Sequence, residues 1–226
     1  MIAALFDCDG ALFSAQFGRG LLKFAAMHGR RRIVWSYYGS LLIPLFLRKL
    51  KLISQETYSR KVIANLAWLI KGWDEKESQS AFEWLVNDYL LPTQHTEVID
   101  KLRAHQAEGH KVILVSAQFL PTLKLLGKHF NADEVIGTNV EKRGNSFTGR
   151  IIPPVITGQD KNMRVGEFFF NNHIEIDWKS SYAYADSITD LELLSLVRNP
   201  VAVYPDSKLN SIAKMNQWEV IGFPKT

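Results

Sequence analysis

Met1–Gly10 reads MIAALFDCDG, and Ala11-Leu12-Phe13 follow. Residues 2–6 have the length and unbroken apolar character of a strand buried on both faces, which is how the strands of a parallel sheet read. The run passes straight into two carboxylates one residue apart, Asp7 and Asp9. In extended backbone, side chains i and i+2 point the same way, so such a strand presents both acids together.

Three further stretches share this look. Lys111–Ser116 (KVILVS) is a buried-strand run ending on a hydroxyl, and Tyr182–Ala185 (YAYA) and Val201–Tyr204 (VAVY) each end in a loop carrying Asp or Pro. Helix-length segments with apolar spacing near 3.6 lie between them: Thr96–Glu108, stopped by Gly109, then Leu120–Phe130, Asn162–Asn171, Leu191–Val197 and Lys208–Asn216. Strands alternating with helices predict a three-layer α/β fold, a parallel Rossmann-like sheet wound on both faces. Glu141–Arg150 (EKRGNSFTGR) breaks the rhythm and reads as a β-hairpin turning at Gly144-Asn145. Residues 15–91 carry Trp, Leu and aromatics at helical spacing without a strand, which predicts a helical insertion. The expected division is a core of 1–14 and 92–226 with a cap of 15–91.

The bulk properties fit one core with a smaller insertion. The chain has 226 residues, 46% hydrophobic and 22% charged, the balance of an ordinary globular protein. Its single cysteine, Cys8, excludes an internal disulfide and any zinc site built on several cysteines, and fits a reducing, cytoplasmic setting. Cys8 itself reads as a small space-filling residue, because no motif supplies it with a base. The N-terminus lacks the basic stretch of a signal peptide. The net charge is +4, and the basic excess is local: Arg30–Arg32 and Arg48–Lys51 bracket the apolar and aromatic segment Ile33–Leu47. That segment is too short for a bilayer span, which needs about 20 residues.

In an open parallel sheet the ligand site lies beyond the carboxyl ends of the strands. The polar residues there are Asp7 and Asp9, Ser116, and Asp186, Ser187 and Asp190, with Lys161 after the Gly158-Gln159-Asp160 turn. Four carboxylates, a hydroxyl and an ammonium suit a phosphate handled with Mg²⁺. The ion takes carboxylate and substrate oxygens, and Ser116 and Lys161 bind the remaining phosphoryl oxygens. Positive charge is required, since a carboxylate about 4 Å from one phosphate charge is repelled by roughly 4 kcal/mol at an effective dielectric of 20.

These motifs resemble the haloacid dehalogenase-like hydrolase superfamily, in the phosphoserine-phosphatase-like branch that carries a helical cap after its first motif. The matching residues are Asp7-Cys8-Asp9-Gly10-Ala11-Leu12, Ser116 closing VILVS, Lys161, and Asp186-Ser187-Ile188-Thr189-Asp190. The hairpin with Phe147-Thr148-Gly149 and the tail Tyr204-Pro205-Asp206 match as well, so nearly the whole chain is covered, the cap least. The resemblance implies a Mg²⁺-dependent phosphomonoester hydrolase acting through an aspartyl-phosphate. Asp7 would be the nucleophile and Asp9 the acid and base. Asp7, the backbone carbonyl of Asp9, and Asp186 would hold the metal. Ser116, Ala117 and Lys161 would bind phosphate, with Gly10 and Asp190 in support. Two positions depart from the branch: Ala11 replaces a hydroxyl, and Gln16 stands where phosphoserine phosphatases place a glutamate, which argues against phosphoserine as substrate.

Other readings compete at the edges. The same pocket serves a catalytically idle module that binds a phosphorylated ligand or associates with a membrane. The aromatic stripe of the insertion reads first as the interior of a cap. Its second reading is an interfacial helix, with Trp35, Tyr37 and Tyr38 beside basic clusters, or a wall for a substrate with an apolar or lipid tail. No motif for nucleic acid is present, and no such partner is expected. The histidines lack ligand spacing, and His105 and His110 read as surface residues.

Overall fold

A computed structural model describes residues 1–225. The chain begins with β1 (Ala3–Phe6), whose four residues are all buried. Ala3 and Leu5 enter one hydrophobic layer while Ala4 and Phe6 enter the opposite one. This two-sided burial is why the strand is apolar throughout rather than alternating.

Four helices follow: α1 (Phe17–Met27), α2 (Arg31–Lys49), α3 (Gln55–Leu66) and α4 (Glu75–Trp84), the last continuing as a π-helical turn over Leu85–Leu90. Ser54 and Asp74 cap α3 and α4 by accepting the Thr57 and Glu77 N–H groups. The four helices share a hydrophobic cluster that includes Phe17, Leu21, Leu66, Trp73 and Phe82, joined by Phe119 and Phe147.

Then come α5 (Thr96–Ala107), β2 (Lys111–Phe119), α6 (Leu120–Phe130), β3 (Glu134–Arg143), β4 (Ser146–Ile152), α7 (Gln159–Asn171), β5 (Tyr182–Ala185), α8 (Leu191–Leu194), β6 (Asn199–Val203), α9 (Ser207–Met215) and β7 (Glu219–Ile221). The seven strands form one sheet in the order β4-β3-β2-β1-β5-β6-β7. All neighbours are parallel except the β3–β4 hairpin. Helices α5 and α6 pack through Val98, Leu102, Leu123 and Leu126 on one face. On the other, α7, α8 and α9 pack through Val165, Phe169, Leu193 and Leu209. The result is the expected three-layer α/β arrangement, with the helices of residues 17–90 inserted after its first strand.

Several elements differ from the sequence reading. The expected hairpin is the end of a longer device: β3 starts at Glu134 and pairs in parallel with β2 before turning into β4. Strand β2 runs three residues past Ser116, to Phe119, with a break in its register to β3 after Val115. The third motif's helix starts earlier, at Gln159, and α8 is shorter, ending at Leu194. Strand β7 had no recognisable run, because its residues are exposed or half-buried.

Candidate active site

Strand β1 is central, and the chain leaves it toward β2 and β3 on one side before returning to β5 and β6 on the other. The crevice at such a switch is where ligands bind. The Asp7 N–H donates to the Tyr184 carbonyl at 2.9 Å, so Asp7 sits beside the end of β5, where Asp186 begins its loop. Regular strand geometry stops at Phe6, however. Residues 8–13 form a compact loop in which the Leu12 and Phe13 N–H groups both donate to the Cys8 carbonyl. Asp7 and Asp9 do line one cleft, but loop geometry brings them there rather than the strand alternation expected from sequence. Gly10 is at φ +87°, and a Cβ there would collide with the Asp186 carboxylate, so the loop needs glycine at this point.

The floor of the cleft is charged and buried. Lys161, only 3% exposed in the first turn of α7, donates to Asp7 Oδ1 at 2.5 Å and to Asp190 Oδ1 at 2.6 Å. Burial alone would lower the pKa of this ammonium, but the Asp190 and Asp7 carboxylates outweigh it and hold the pKa well above the usual lysine value. Asp7 is pushed up to about 7 by burial, against the pull of Lys161, with Asp190 and Asp186 adding to the rise. Asp186 is raised to about 6, again by burial first, while the Lys225 ammonium paired with it works in the opposite direction. Oxygens of Asp7, Asp186 and Asp190 all lie within 4.8 Å of one another. Such a convergent set of hard oxygen donors fits a small divalent cation.

Asp9 is held separately. Its Oδ1 accepts from the Phe17 N–H at 3.0 Å and from the Gln118 amide at 2.7 Å. Burial still raises it to about 7, the two donors notwithstanding. Gln118 is fully buried, and the sequence reading missed it because it ended the strand at Ser116. The signal available was a glutamine inside an apolar run, Ser116-Ala117-Gln118-Phe119. Ser116, Ala117 and Lys161 line the same cleft of about 310 Å³. Asp206 fastens the opposite wall, accepting from the Ser187 hydroxyl and the Ile188 N–H while capping α9. Asp7, Asp9, Ser116, Ala117, Lys161, Asp186 and Asp190 therefore converge on one cleft, with Gly10 packed against Asp186.

The inserted helices supply the rest of the rim through Gln16, Glu56, Tyr58 and Ile63. Arg60 reaches from α3 to Asp160 at 2.5 Å, beside Lys161. Gly158, at φ +51°, lets the Glu56 side chain approach the turn before α7, where a Cβ would lie 2.7 Å from it.

Cys8 is buried in the sheet core, as a space-filling residue should be. His105, expected at the surface, is buried instead. Its Nδ1 is hydrogen-bonded to His110 Nδ1 and its Nε2 to the Tyr184 hydroxyl, each at 2.8 Å, and Glu108 lies against the half-buried His110. The partner that draws it inward, Tyr184, is 79 residues away in the chain and leaves no local trace.

A family model for the haloacid dehalogenase-like hydrolases matches residues 4–195. Among curated relatives, the phosphoserine phosphatase SerB1 of Mycobacterium tuberculosis is 27% identical over 232 residues, covering 98% of this chain and 70% of that one. The histidinol-phosphatase of Neisseria meningitidis serogroup C is 26% identical over 233 residues, covering 97% and 98%. Among solved structures, a Bordetella pertussis Tohama I protein of unknown function superposes with a TM-score of 0.80 at 24% identity over 97% of both chains. A phospho-aspartyl intermediate analogue of phosphoserine phosphatase superposes at 0.66 and 14%, covering 99% of this chain and 93% of that one. Sheet order, motif order and the family match agree: the chain belongs to the haloacid dehalogenase-like hydrolases.

Proposed function

We propose that this protein hydrolyses phosphate monoesters in two steps, through an aspartyl-phosphate on Asp7. The observation that carries the reading is the pairing of two buried acids in different settings. Asp7 is clamped by Lys161 among the acidic cluster, and Asp9 is held apart by Gln118 and the Phe17 N–H. An Asp7 oxygen attacks phosphorus as the bond to the leaving oxygen breaks, and Asp9 gives its proton to that oxygen. Asp9, now a carboxylate, then takes a proton from the water that attacks the acyl phosphate and frees Asp7. A group poised near 7 suits both directions of this proton transfer. Lys161 and the Ser116 hydroxyl hold phosphoryl oxygens.

The cluster of Asp7, Asp186 and Asp190 oxygens fits Mg²⁺. Asp7 and Asp186 would hold it, with the Asp9 carbonyl as the family resemblance implies, and Asp190 holds Lys161 beside them. When bound, the ion keeps Asp7 ionised and offsets the charge repulsion between substrate and carboxylates. Residues 15–91 act as a cap over the core of 1–14 and 92–226, and close the cleft through contacts such as Arg60 with Asp160. The substrate is a small phosphomonoester. Gln16 at the rim offers no charge to an ammonium group, which favours a substrate other than phosphoserine. An idle binding module would have no task for Asp9, so its placement supports turnover.

The test is phosphate release from 4-nitrophenyl phosphate with Mg²⁺ and with chelator. The proposal expects turnover that falls by about 100-fold or more when the metal is removed. Turnover indifferent to chelator contradicts it. So does folded protein that neither turns over with Mg²⁺ nor binds beryllium fluoride as a phosphoryl mimic.

A further inference from the structure

Helix α2 is apolar on two faces, and protein covers one of them. Tyr37 and Leu41 are buried against the other inserted helices. The opposite face carries Trp35, Tyr38, Leu42, Ile43, Phe46 and, just past the helix, Leu50, at the i, i+3, i+7, i+8, i+11 and i+15 positions that form one stripe. Trp35 is 75% exposed, Ile43 71%, Leu42 66% and Phe46 60%. An exposed stripe of this size on one element marks a surface that meets a partner.

Charge specifies the partner. Between Asp9 and Glu56 the chain has no acidic residue and eight basic ones, whereas the rest of it has 19 basic against 23 acidic. Of these, Arg31, Arg32, Lys49 and Lys51 are exposed at the two ends of the stripe. Arg31 and Arg32 also sit in the first turn of the helix, where no acidic residue or side-chain cap answers the positive end of the dipole, whereas Arg30, just before it, is paired with Glu77. Cations there work against helix stability unless an external anion offsets them. No described helix is long and apolar enough to cross a membrane, so an apolar stripe between basic ends lies in an interface rather than through it.

We propose that α2 docks this enzyme on an anionic phospholipid bilayer. The helix lies in the plane of the interface with Trp35, Leu42, Ile43 and Phe46 inserted at the acyl boundary. Arg31, Arg32, Lys49 and Lys51 face the headgroup phosphates. Docking is independent of the chemistry in the cleft, to which none of these side chains contributes. Between α2 and α3 an open groove of about 370 Å³, lined by Pro44, Leu47, Ile53, Ala64 and Val155, extends the apolar surface on the same helices.

The experiment is co-sedimentation of the full chain with vesicles of phosphatidylcholine alone and of phosphatidylcholine mixed with phosphatidylglycerol, across a salt series. The expected result is binding to the mixed vesicles that weakens as salt rises. The double variant Trp35→Ser/Phe46→Ser should bind about tenfold or more weakly while hydrolysing 4-nitrophenyl phosphate at the wild-type rate. Absence of binding to mixed vesicles at low salt overturns the proposal, as does equal binding by the double variant. Self-association of the wild type that the double variant loses, with no vesicle binding by either, also overturns it and makes a second copy the occupant.

Discussion

At the strand ends, Asp7, Lys161, Asp186 and Asp190 are charged side chains withdrawn from water. On the outer face of α2, Trp35, Leu42, Ile43 and Phe46 are apolar side chains left in it. Both arrangements invert the usual distribution, and both oppose folding. In the cleft the cost is offset internally, because Lys161 lies within hydrogen-bonding distance of two carboxylates. On α2 nothing among the described residues covers these side chains. The comparison teaches where each region's function is stored: the cleft is preorganised for a small anion and its cation, while α2 is complete only against something outside the molecule.

The sharpest way to break this comparison is to remove the internal compensation. Lys161→Ala leaves two buried carboxylates facing each other. It should destabilise the fold by about 3–5 kcal/mol in denaturant unfolding, besides removing activity. A variant as stable as wild type would mean that the floor of the cleft is wetter than its burial implies.

A second buried polar group lies away from the cleft, held by hydrogen bonds to His110 and the Tyr184 hydroxyl. His105 is pushed down to about 4, by burial first and then by the neighbouring His110, with Glu108 opposing and Lys101 assisting. The unfolded chain therefore binds a proton near pH 6.5 that the native state refuses until about pH 4. Stability from this site is full above 6.5 and is lost as pH falls through that window, by an amount on the order of 2 kcal/mol. Thermal unfolding from pH 7 to 4 measures it, and His105→Gln should remove this component of the slope.

Smaller effects sharpen the distinction between holding a group and being one. Gln118→Ala leaves Asp9 with only the Phe17 N–H as donor, and kcat should fall about tenfold with the fold intact. At the exposed end of the scale, Arg30 and Glu77 also form an ion pair, at 3.3 Å on the surface of the insertion. Glu77→Ala should change stability by about 0.5 kcal/mol or less, because solvent screens the pair.

The first and fourth motif loops were legible because each places carboxylates directly after an apolar run, and Ser116 because it closes one, a conjunction that a parallel sheet converts into a shared edge. Lys161 was legible only from its place after the Gly158-Gln159-Asp160 turn at a helix start. Gln118 was not, since a strand that continues past its motif hides a polar residue among buried ones. The first part of strand β3, before the expected hairpin, was missed because Gly137-Thr138-Asn139 interrupts its apolar pattern, while Thr138 is in fact buried and bonded to the Ala117 carbonyl. The insertion was readable as helical but not in its orientation. A helix apolar on two faces gives periodicity no reason to choose between them, and Tyr37 faces inward while Tyr38 faces out.

The central claim is that Asp7 carries the phosphoryl group. Hydrolysis of 4-nitrophenyl phosphate by Asp7→Asn beside the wild type, with Mg²⁺ present and the fold of both checked by circular dichroism, tests it most directly. The amide is close to the carboxylate in shape but is a far weaker nucleophile, so the account predicts a folded protein whose rate falls by about 1,000-fold or more. A folded Asp7→Asn protein turning over at the wild-type rate would contradict it.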